Sequence, residues 1–365
     1  MKKQLVLITL ILQSVFTFAQ VPTQEREALM ALYNATNGPN WTFPGQWGST
    51  TTPVADWFGI DVENIAGQDY VTDIVLDYNG LSGYIPSDIG NFPHLKTLIL
   101  SANILSGNIP SEIGLLTNLE TLYLEGCQLS GPIPNEIGNL TSLLDISLAG
   151  NQLTGSIPAE IGNLTNLWAL NLAYNQLSGS IPVEIENLIN IEGIALSNNE
   201  FSGELDLSNL SNLHGLLLEN NNFSSINVRN ENNTNFDFFN ITNNPNLICV
   251  FVDDASWSET NWLDKDETAQ YFETQTECDN YLTVDDFTNN VNFSIYPNPT
   301  NAIVTIESLN GNLIREIKIF TILGEQIKKW SKINSIDISN FSQGIYYIQI
   351  LDDKSNQYRY KIIKK

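Results

Sequence analysis

Residue types that usually carry catalysis are sparse in this sequence. It has two histidines, His94 and His214, and three cysteines among 365 residues. Neither histidine stands at a spacing typical of a metal site or of a base beside a nucleophile. The sequence also has no G-x-S-x-G, G-x-x-x-x-G-K or C-x-x-C motif. We therefore expect no catalytic residues, no metal and no cofactor, and we expect both histidines to lie on the surface.

Carboxylates are abundant, but their placement is regular. Glu112, Glu136, Glu160 and Glu184 each precede an isoleucine at equal intervals along the chain. Such regularity indicates a repeated, solvent-exposed position and not a catalytic pair. Two acidic groups, residues 253–254 and 264–267, could hold calcium as an alternative. They do not have the ligand spacing of a regular calcium loop.

Charge divides the sequence near residue 290. Residues 20–292 contain four basic and 35 acidic residues, a net charge of −31, whereas residues 293–365 contain ten and six, a net charge of +4. A segment this acidic repels phosphate groups, so nucleic acid and anionic membrane surfaces are poor partners. The change of sign predicts a domain boundary, with residues 281–292 as a polar linker.

The N-terminus has the pattern of an export signal. Lys2 and Lys3 precede an apolar run that ends at Phe18-Ala19. This pattern predicts a secretory signal peptide over residues 1–19. A membrane anchor is the alternative, but the run is short for a bilayer span. We expect an exported protein with no membrane span after cleavage, whose cysteines meet an oxidising compartment.

The middle of the chain consists of repeats of about 24 residues. One copy reads LETLYLEGCQLSGPIPNEIGNLTS at residues 119–142, and similar copies begin at residues 95, 143 and 167. A repeat of this length predicts a stacked array, because one copy cannot bury its own apolar face. We count eight repeats over residues 71–250, which start at Val71, Leu95, Leu119, Leu143, Leu167, Ile191, Leu213 and Phe236.

Positions within the repeat have distinct predicted roles. The first, fourth and sixth residues are expected to enter the core from a short strand. The ninth is asparagine in seven of the eight repeats, and a buried amide there can bond to the backbone of adjacent turns. Cys127 takes this position in the third repeat, where we expect a buried substitute and not a reactive thiol. The Ile-Pro pair, as at Ile133-Pro134, is predicted to form a second edge strand.

The pattern L-x-x-L-x-L-x-x-N-x-L-x-G-x-I-P-x-x-I-G-x-L resembles the plant-type leucine-rich repeat. The resemblance implies an α/β-type repeat solenoid with a parallel β-sheet on its concave face, where such proteins bind their partners. Exposed aromatic residues beside acids suit a protein, peptide or glycan ligand, although the ligand could also bind elsewhere. The candidate ligand-binding residues are Asp77, Tyr78, Ile99, Tyr123, Glu125, Asp145, Trp168, Asn171, Tyr174, Leu217 and Glu219.

Both ends of the array need a cap, since a terminal repeat leaves its core open. Residues 20–70 are predicted to form an N-terminal cap that consists of a helix and an aromatic segment with Trp41, Trp47 and Trp57. It resembles the cap of plant-type repeat proteins without their cysteine pair, so aromatic packing has to close it. A tryptophan-lined carbohydrate cleft is the alternative.

Residues 251–280 are predicted to cap the other end. The two cysteines that remain, Cys249 and Cys278, lie in or beside this segment. Because the protein is expected to be exported, we predict a disulfide between them. Two free thiols are the alternative.

From Phe293 onward the apolar pattern alternates with a period of two. Short alternating strands separated by turn residues predict a small all-β sandwich. YPNPT at residues 296–300, GIYY at residues 344–347 and a basic end resemble the C-terminal sorting domain of the bacterial type IX (Por) secretion system. For residues 293–365 this implies recognition by the secretion machinery of a Gram-negative outer membrane.

Together these features predict a secreted or cell-surface, non-enzymatic binding or adhesion protein. Two other hypotheses stay open. One is an inhibitor-like module that binds an exported hydrolase, and the other is an enzyme that acts on a polysaccharide.

Overall fold

Short strands from successive repeats stack into two parallel sheets in the computed structural model of the chain. The structure describes residues 21–282, 293–309, 311–321, 326–354 and 356–365. The predicted signal peptide and residues 283–292 of the predicted linker lie outside these ranges. The chain divides into two compact units after Ala269.

The first unit begins with helix α1 (Thr23–Ala35) and an antiparallel pair, β1 (Ile60–Ile65) and β2 (Gln68–Val75). Each repeat then adds a strand to each sheet. The following strands are β3 (Ser82–Gly83), β4 (Thr97–Ile99), β5 (Ile104–Gly107), β6 (Thr121–Tyr123), β7 (Gln128–Gly131), β8 (Asp145–Ser147), β9 (Gln152–Gly155), β10 (Ala169–Asn171), β11 (Gln176–Gly179), β12 (Gly193–Ala195), β13 (Glu200–Asp206), β14 (Gly215–Leu217), β15 (Asn222–Asn227), β16 (Phe238–Asn240) and β17 (Cys249–Phe251). Helix α2 (Ala255–Asn261) follows.

The sheet predicted to line the concave face, called the concave sheet below, has the order β1-β2-β4-β6-β8-β10-β12-β14-β16. Every pair after β1–β2 is parallel, and equivalent positions of neighbouring repeats align, as Thr121 does with Asp145. The second sheet, whose order in the first unit is β17-β15-β13-β11-β9-β7-β5-β3, is also parallel. The predicted repeat solenoid is confirmed.

The second strand of each repeat lies earlier than predicted. In the third repeat it is β7, which ends before Ile133-Pro134. Proline has no N–H to donate to a neighbouring strand, whereas the residues of β7 all have one. Ile133 is buried instead, and Pro134 precedes a 3₁₀ turn, Asn135–Asn139. The prediction of a second strand is correct, but its placement at Ile-Pro is wrong.

Buried asparagines join each repeat to its neighbours. The Asn151 Nδ2 donates to the carbonyls of Leu124 and Leu148 at 2.8 and 3.0 Å, and its Oδ1 accepts from the Leu129 N–H at 3.0 Å. The same pattern recurs at Asn103, Asn175, Asn199, Asn221 and Asn244. Cys127 takes this place in the third repeat, where burial raises the pKa of its thiol.

A second, exposed ladder runs along the last position of the repeats. There the Asn166 side chain donates to the Thr141 carbonyl at 2.9 Å, and Asn190 donates to Thr165 at 2.8 Å. Asn118, Ser142 and Asn212 make equivalent bonds. We did not predict this ladder, because an exposed asparagine in a turn needs no structural partner.

Aromatic packing fills the predicted N-terminal cap. Trp41, Trp47 and Trp57 are buried, and the Trp47 ring lies 4.9 Å from that of Trp41 and 5.1 Å from that of Trp57. The Trp41 and Trp47 indoles donate to backbone carbonyls. Because these rings are buried, the alternative of an open tryptophan-lined cleft is wrong. The end of α1 also covers the edge of the second sheet, since Ser82 N–H bonds to the Thr36 carbonyl at 3.0 Å.

At the other end, three of the acids considered for calcium accept hydrogen bonds from the protein backbone. Asp254 caps α2 through the Trp257 N–H, Asp253 accepts from the Asn233 N–H, and Asp266 accepts from the Asn244 N–H. Within the described ranges, no group of three or more His, Cys, Asp or Glu residues could hold a metal ion. Asp253, Asp254 and Asp266 therefore serve as acceptors for backbone N–H groups.

The predicted disulfide between Cys249 and Cys278 is confirmed. Cys127 is free and buried. Helix α3 (Gln275–Leu282), which carries Cys278, continues two residues into the predicted linker. A crosslink that closes a loop of roughly thirty residues contributes about 3–4 kcal/mol in the chain-entropy picture.

The second unit contains β18 (Gln270–Phe272), α3 and an all-β domain. Its remaining strands are β19 (Phe293–Tyr296), β20 (Ile303–Ser308), β21 (Ile314–Thr321), β22 (Gln326–Ser331), β23 (Ser335–Asp337), β24 (Gly344–Asp352) and β25 (Gln357–Lys364). They form antiparallel sheets of order β19-β20-β23 and β22-β21-β24-β25. One apolar core that includes Ile306, Ile317 and Ile348 joins the sheets, so the predicted all-β domain is confirmed.

We predict that Asn151→Ala destabilises the repeats by about 3 kcal/mol, because it leaves buried backbone groups without partners. Urea denaturation measures this change. The control is Gln152→Ala at the exposed neighbouring position, which should change stability by less than about 0.5 kcal/mol. Equal urea midpoints for the two variants would contradict a structural role for the amide.

The buried carboxyl of Glu25 should make the free energy of unfolding depend on pH. Glu25 is 1% exposed, and its Oε2 accepts from the Val71 N–H at 2.9 Å while Oε1 has no partner. Burial raises its pKa to about 7, against a smaller lowering by the Val71 bond. The folded protein thus holds this proton more tightly than the unfolded chain does. Its contribution is fully present below the unfolded pKa and is lost as pH rises toward 7.

We therefore expect Glu25→Gln to match the wild type near pH 4, below the unfolded pKa, and to exceed it by up to about 3 kcal/mol near pH 8. Urea midpoints at both pH values measure the difference. Glu27→Gln, an exposed change in the same helix, is the control and should show no such divergence. A constant offset between Glu25→Gln and wild type at all pH values would contradict the prediction.

Candidate ligand-binding face

All eleven candidate residues lie on the concave sheet or at its two rims. Asp145 is at the third position of its repeat and Trp168 at the second. The fifth position has Ile99, Tyr123, Asn171 and Leu217; the seventh has Asp77, Glu125 and Glu219; and the eighth has Tyr78 and Tyr174. Each is exposed or half-exposed. Strand residues at odd positions point away from the core because side chains alternate along a strand.

The centre of the face is a polar network that is already satisfied. The Tyr123 hydroxyl donates to the Asp145 carboxylate, and the Ser147 hydroxyl donates to Glu125 Oε2 at 2.5 Å. Burial raises the pKa of Asp145, with a further increase from the nearby Glu125 and a partial decrease from the Tyr123 bond. Burial and the Asp145 bond also raise the pKa of Tyr123. These side chains hold one another in place and offer a fixed polar surface.

Exposed aromatic rings flank this network at the rims. Tyr78 is 74% exposed, Tyr174 62% and Trp168 44%. Trp168 directly precedes β10 and Tyr174 follows it by three residues, so the strand, about 10 Å long, lies between them. The structure therefore does not bring the two rings together, and one small ligand group cannot contact both.

The eighth position of the repeat has a left-handed backbone in every repeat. The φ angle is 50° at Tyr78 and 56° at Tyr174. Of the other six repeats, one has Ala102 at this position. The other five have glycine or asparagine, which tolerate this conformation: Gly126, Gly150, Asn198, Asn220 and Asn243. A bulky residue in this region is unusual. The strained backbone of the two tyrosines could not be predicted from the sequence without knowing this geometry.

The far end of the concave sheet has features that we did not include among the candidates. Phe238 on β16 is 67% exposed, and it occupies the third position, as Asp145 does. His214 is half-exposed and lies 3.6 Å from Glu192 and 3.3 Å from Asp237. Repeat spacing alone could have identified Phe238, whereas the acids around His214 come from two different repeats.

The arrangement is chemically suited to binding. It offers aromatic rings, amides and carboxylates on a regular surface, and two of its carboxylates, Asp145 and Glu125, accept hydrogen bonds from neighbouring hydroxyls. In the part of the chain that the structure describes, no helix has the length and apolar character needed to cross a membrane.

Comparisons with known proteins identify both parts of the chain. Residues 74–257 match the leucine-rich repeat region family, and residues 294–365 match the secretion system C-terminal sorting domain. Neither match is to a catalytic family. No curated protein matches the chain significantly.

Several solved structures are similar to parts of the chain. A plant ice-binding protein is 26% identical, with 64% of this chain and 81% of that chain covered and a TM-score of 0.52. The plant peptide hormone receptor RGFR1 in complex with RGF2 is 32% identical, and the match covers 47% of this chain and 27% of that chain with a TM-score of 0.40. The BIR3–SERK2 complex from Arabidopsis thaliana is 32% identical, with coverages of 48% and 93% and a TM-score of 0.40.

The sorting domain indicates export by the type IX system to the cell surface or beyond. Half of the chain matches the repeat family, and the parallel stacked strands agree with that match. The chain belongs to the leucine-rich repeat family and ends in a Por secretion C-terminal sorting domain.

Proposed function

We propose that the chain is a non-enzymatic recognition or adhesion protein, secreted or held on the outer surface of a Gram-negative bacterium. In this proposal a protein, peptide or glycan binds the concave sheet. The observation that carries the proposal is the exposure of Tyr78 and Tyr174 on left-handed backbone. Strain of this kind is concentrated at functional sites in proteins.

Stability alone does not account for these tyrosines. The left-handed conformation costs a residue with a Cβ roughly 1–2 kcal/mol, and asparagine or glycine relieves much of this cost. Asn198 and Asn220 show that the repeat accepts asparagine at this position. A ring exposed at such a cost gains nothing from burial, whereas tyrosine contributes strongly to binding interfaces.

We predict that Tyr174→Asn has two opposite effects. The free energy of unfolding of the repeats, measured by urea denaturation, should rise by about 1 kcal/mol, because asparagine tolerates the left-handed backbone. Binding to the best ligand on glycan and surface-protein arrays should weaken about tenfold, because a ring that contacts the ligand is lost. Both measurements use the full chain.

The matched control is Tyr84→Asn, which removes a ring that is also exposed but does not have a left-handed backbone. It should leave both binding and stability nearly unchanged. Equal binding by wild type and Tyr174→Asn would contradict the assignment of this rim. If the captured ligand is an exported hydrolase that loses activity in the complex, the inhibitor-like alternative replaces adhesion. Turnover of an arrayed polysaccharide by the wild type would instead favour an enzyme.

Ice binding is a second candidate function, which one surface favours. Residues 104–108, 128–132, 152–156 and 176–180, the second strand and following turn of four successive repeats, contain no charged residue. Hydroxyl and amide side chains project from them in rows, with Ser130 paired to Gln152 and Thr154 to Gln176. Neighbouring strands lie about 4.8 Å apart, so the rows are regular. A similar solved structure is a plant ice-binding protein.

Inhibition of ice recrystallisation by the full chain tests this candidate. We expect Thr154→Lys with Ser178→Lys to abolish inhibition, because a charged side chain imposes its own hydration on the row. Asn139→Lys with Asn163→Lys, which changes exposed turn residues elsewhere in the repeats, should retain it. No inhibition by the wild type would remove ice binding from consideration.

A further inference from the structure

The four-stranded sheet of the sorting domain has an outer face, opposite the core, which is both basic and apolar. Ile317, Ile348 and Ile362 point into the core, so the residues that alternate with them point outward. They include Lys318 and Phe320 on β21, Tyr347 on β24, and Arg359 and Lys361 on β25. We name this surface the outer face.

Strand register aligns the cations of the outer face. Lys329 pairs with Lys318, Lys318 with Gln349, and Gln349 with Arg359, so three cations lie in one row across the four strands. Lys361 stands in the next row, beside Tyr347. Glu316 lies 3.1 Å from the Lys318 amine and 2.6 Å from that of Lys329. It is the one acid among these rows, so the outer face keeps a positive charge.

Apolar side chains lie beside the basic row. Ile345 pairs with Ile363, and they are 39% and 37% exposed. Phe320 and Tyr347 pair in the adjacent row and are half-exposed. A protein-binding surface typically combines an apolar region with charged residues at its border. The two properties together distinguish the outer face from an ordinary solvated sheet.

We propose that the outer face docks on an acidic protein surface of the secretion machinery, an inference that rests on the proposed type IX export. Charge complementarity supports an acidic partner. A protein partner is favoured over a membrane, because half-exposed side chains of a sheet cannot enter a bilayer as an amphipathic helix does. Four strands over seven residues give a footprint of roughly 400 Å², at the small end for specific contacts, which suits transient docking during export.

Export of the full chain from a bacterium with a type IX system tests this proposal. Arg359→Glu with Lys361→Glu should lower the exported amount about tenfold, since like charges repel in the docked state. The control is Arg315→Glu with Lys332→Glu, which makes the same charge change away from the outer face. Both residues line a groove with Thr305 and Ser308, and this variant should be exported as the wild type is. Arg359→Lys, which keeps the charge, should also be exported normally. Thermal unfolding of each purified variant shows whether it folds.

Each outcome decides between distinct possibilities. Loss of export in the outer-face variant alone, with wild-type unfolding, supports the docking proposal. Equal export of both charge variants overturns it and leaves type IX export intact. Failure of the wild type to be exported contradicts the proposed function itself. Binding of the wild type to phosphatidylglycerol vesicles, lost on Arg359→Glu with Lys361→Glu, overturns the protein partner in favour of lipid.

Discussion

The bonds from one buried asparagine amide to the backbone of adjacent repeats are the constraint on which this structure depends. A chain that turns every few residues leaves buried N–H and C=O groups without regular partners. An amide has two donors and an acceptor, so Asn151 can satisfy the carbonyls of Leu124 and Leu148 and the N–H of Leu129 together. Because the bonds join successive repeats, they also fix the register of both sheets.

A fixed register makes the concave sheet a surface with defined positions. Equivalent side chains recur on every strand, so a substitution at one position changes a single point of an otherwise regular face. Tyr123 and Asp145 use this regularity to bond across neighbouring strands. Tyr78 and Tyr174 depart from it, since they keep bulky rings where the backbone favours asparagine or glycine. The scaffold supports these departures because the ladder on either side holds the turn.

Much of the fold follows from the sequence because each repeat confirms the others. The core positions and the asparagine ladder were predictable from the repeat spacing, and the all-β class of the last domain from its period of two. The disulfide was predictable because two cysteines remain outside the repeats of a chain expected to be exported, and the sorting domain was identified by resemblance. The second strand was misplaced, because Ile133-Pro134 is extended but has no proline N–H for a neighbouring strand. The site was less predictable. The Tyr123–Asp145 bond and the left-handed backbone of Tyr174 depend on three-dimensional geometry, and repeat spacing carries no information about either.

Hydrogen exchange of the full chain, with and without the ligand that binds best on the arrays, addresses the central claim most directly. If the concave sheet is the recognition surface, the ligand should slow exchange in the strands from β4 to β14 and in the turns at Tyr78 and Tyr174. Slower exchange confined to the second sheet or to residues 293–365, with the concave sheet unchanged, would contradict the claim.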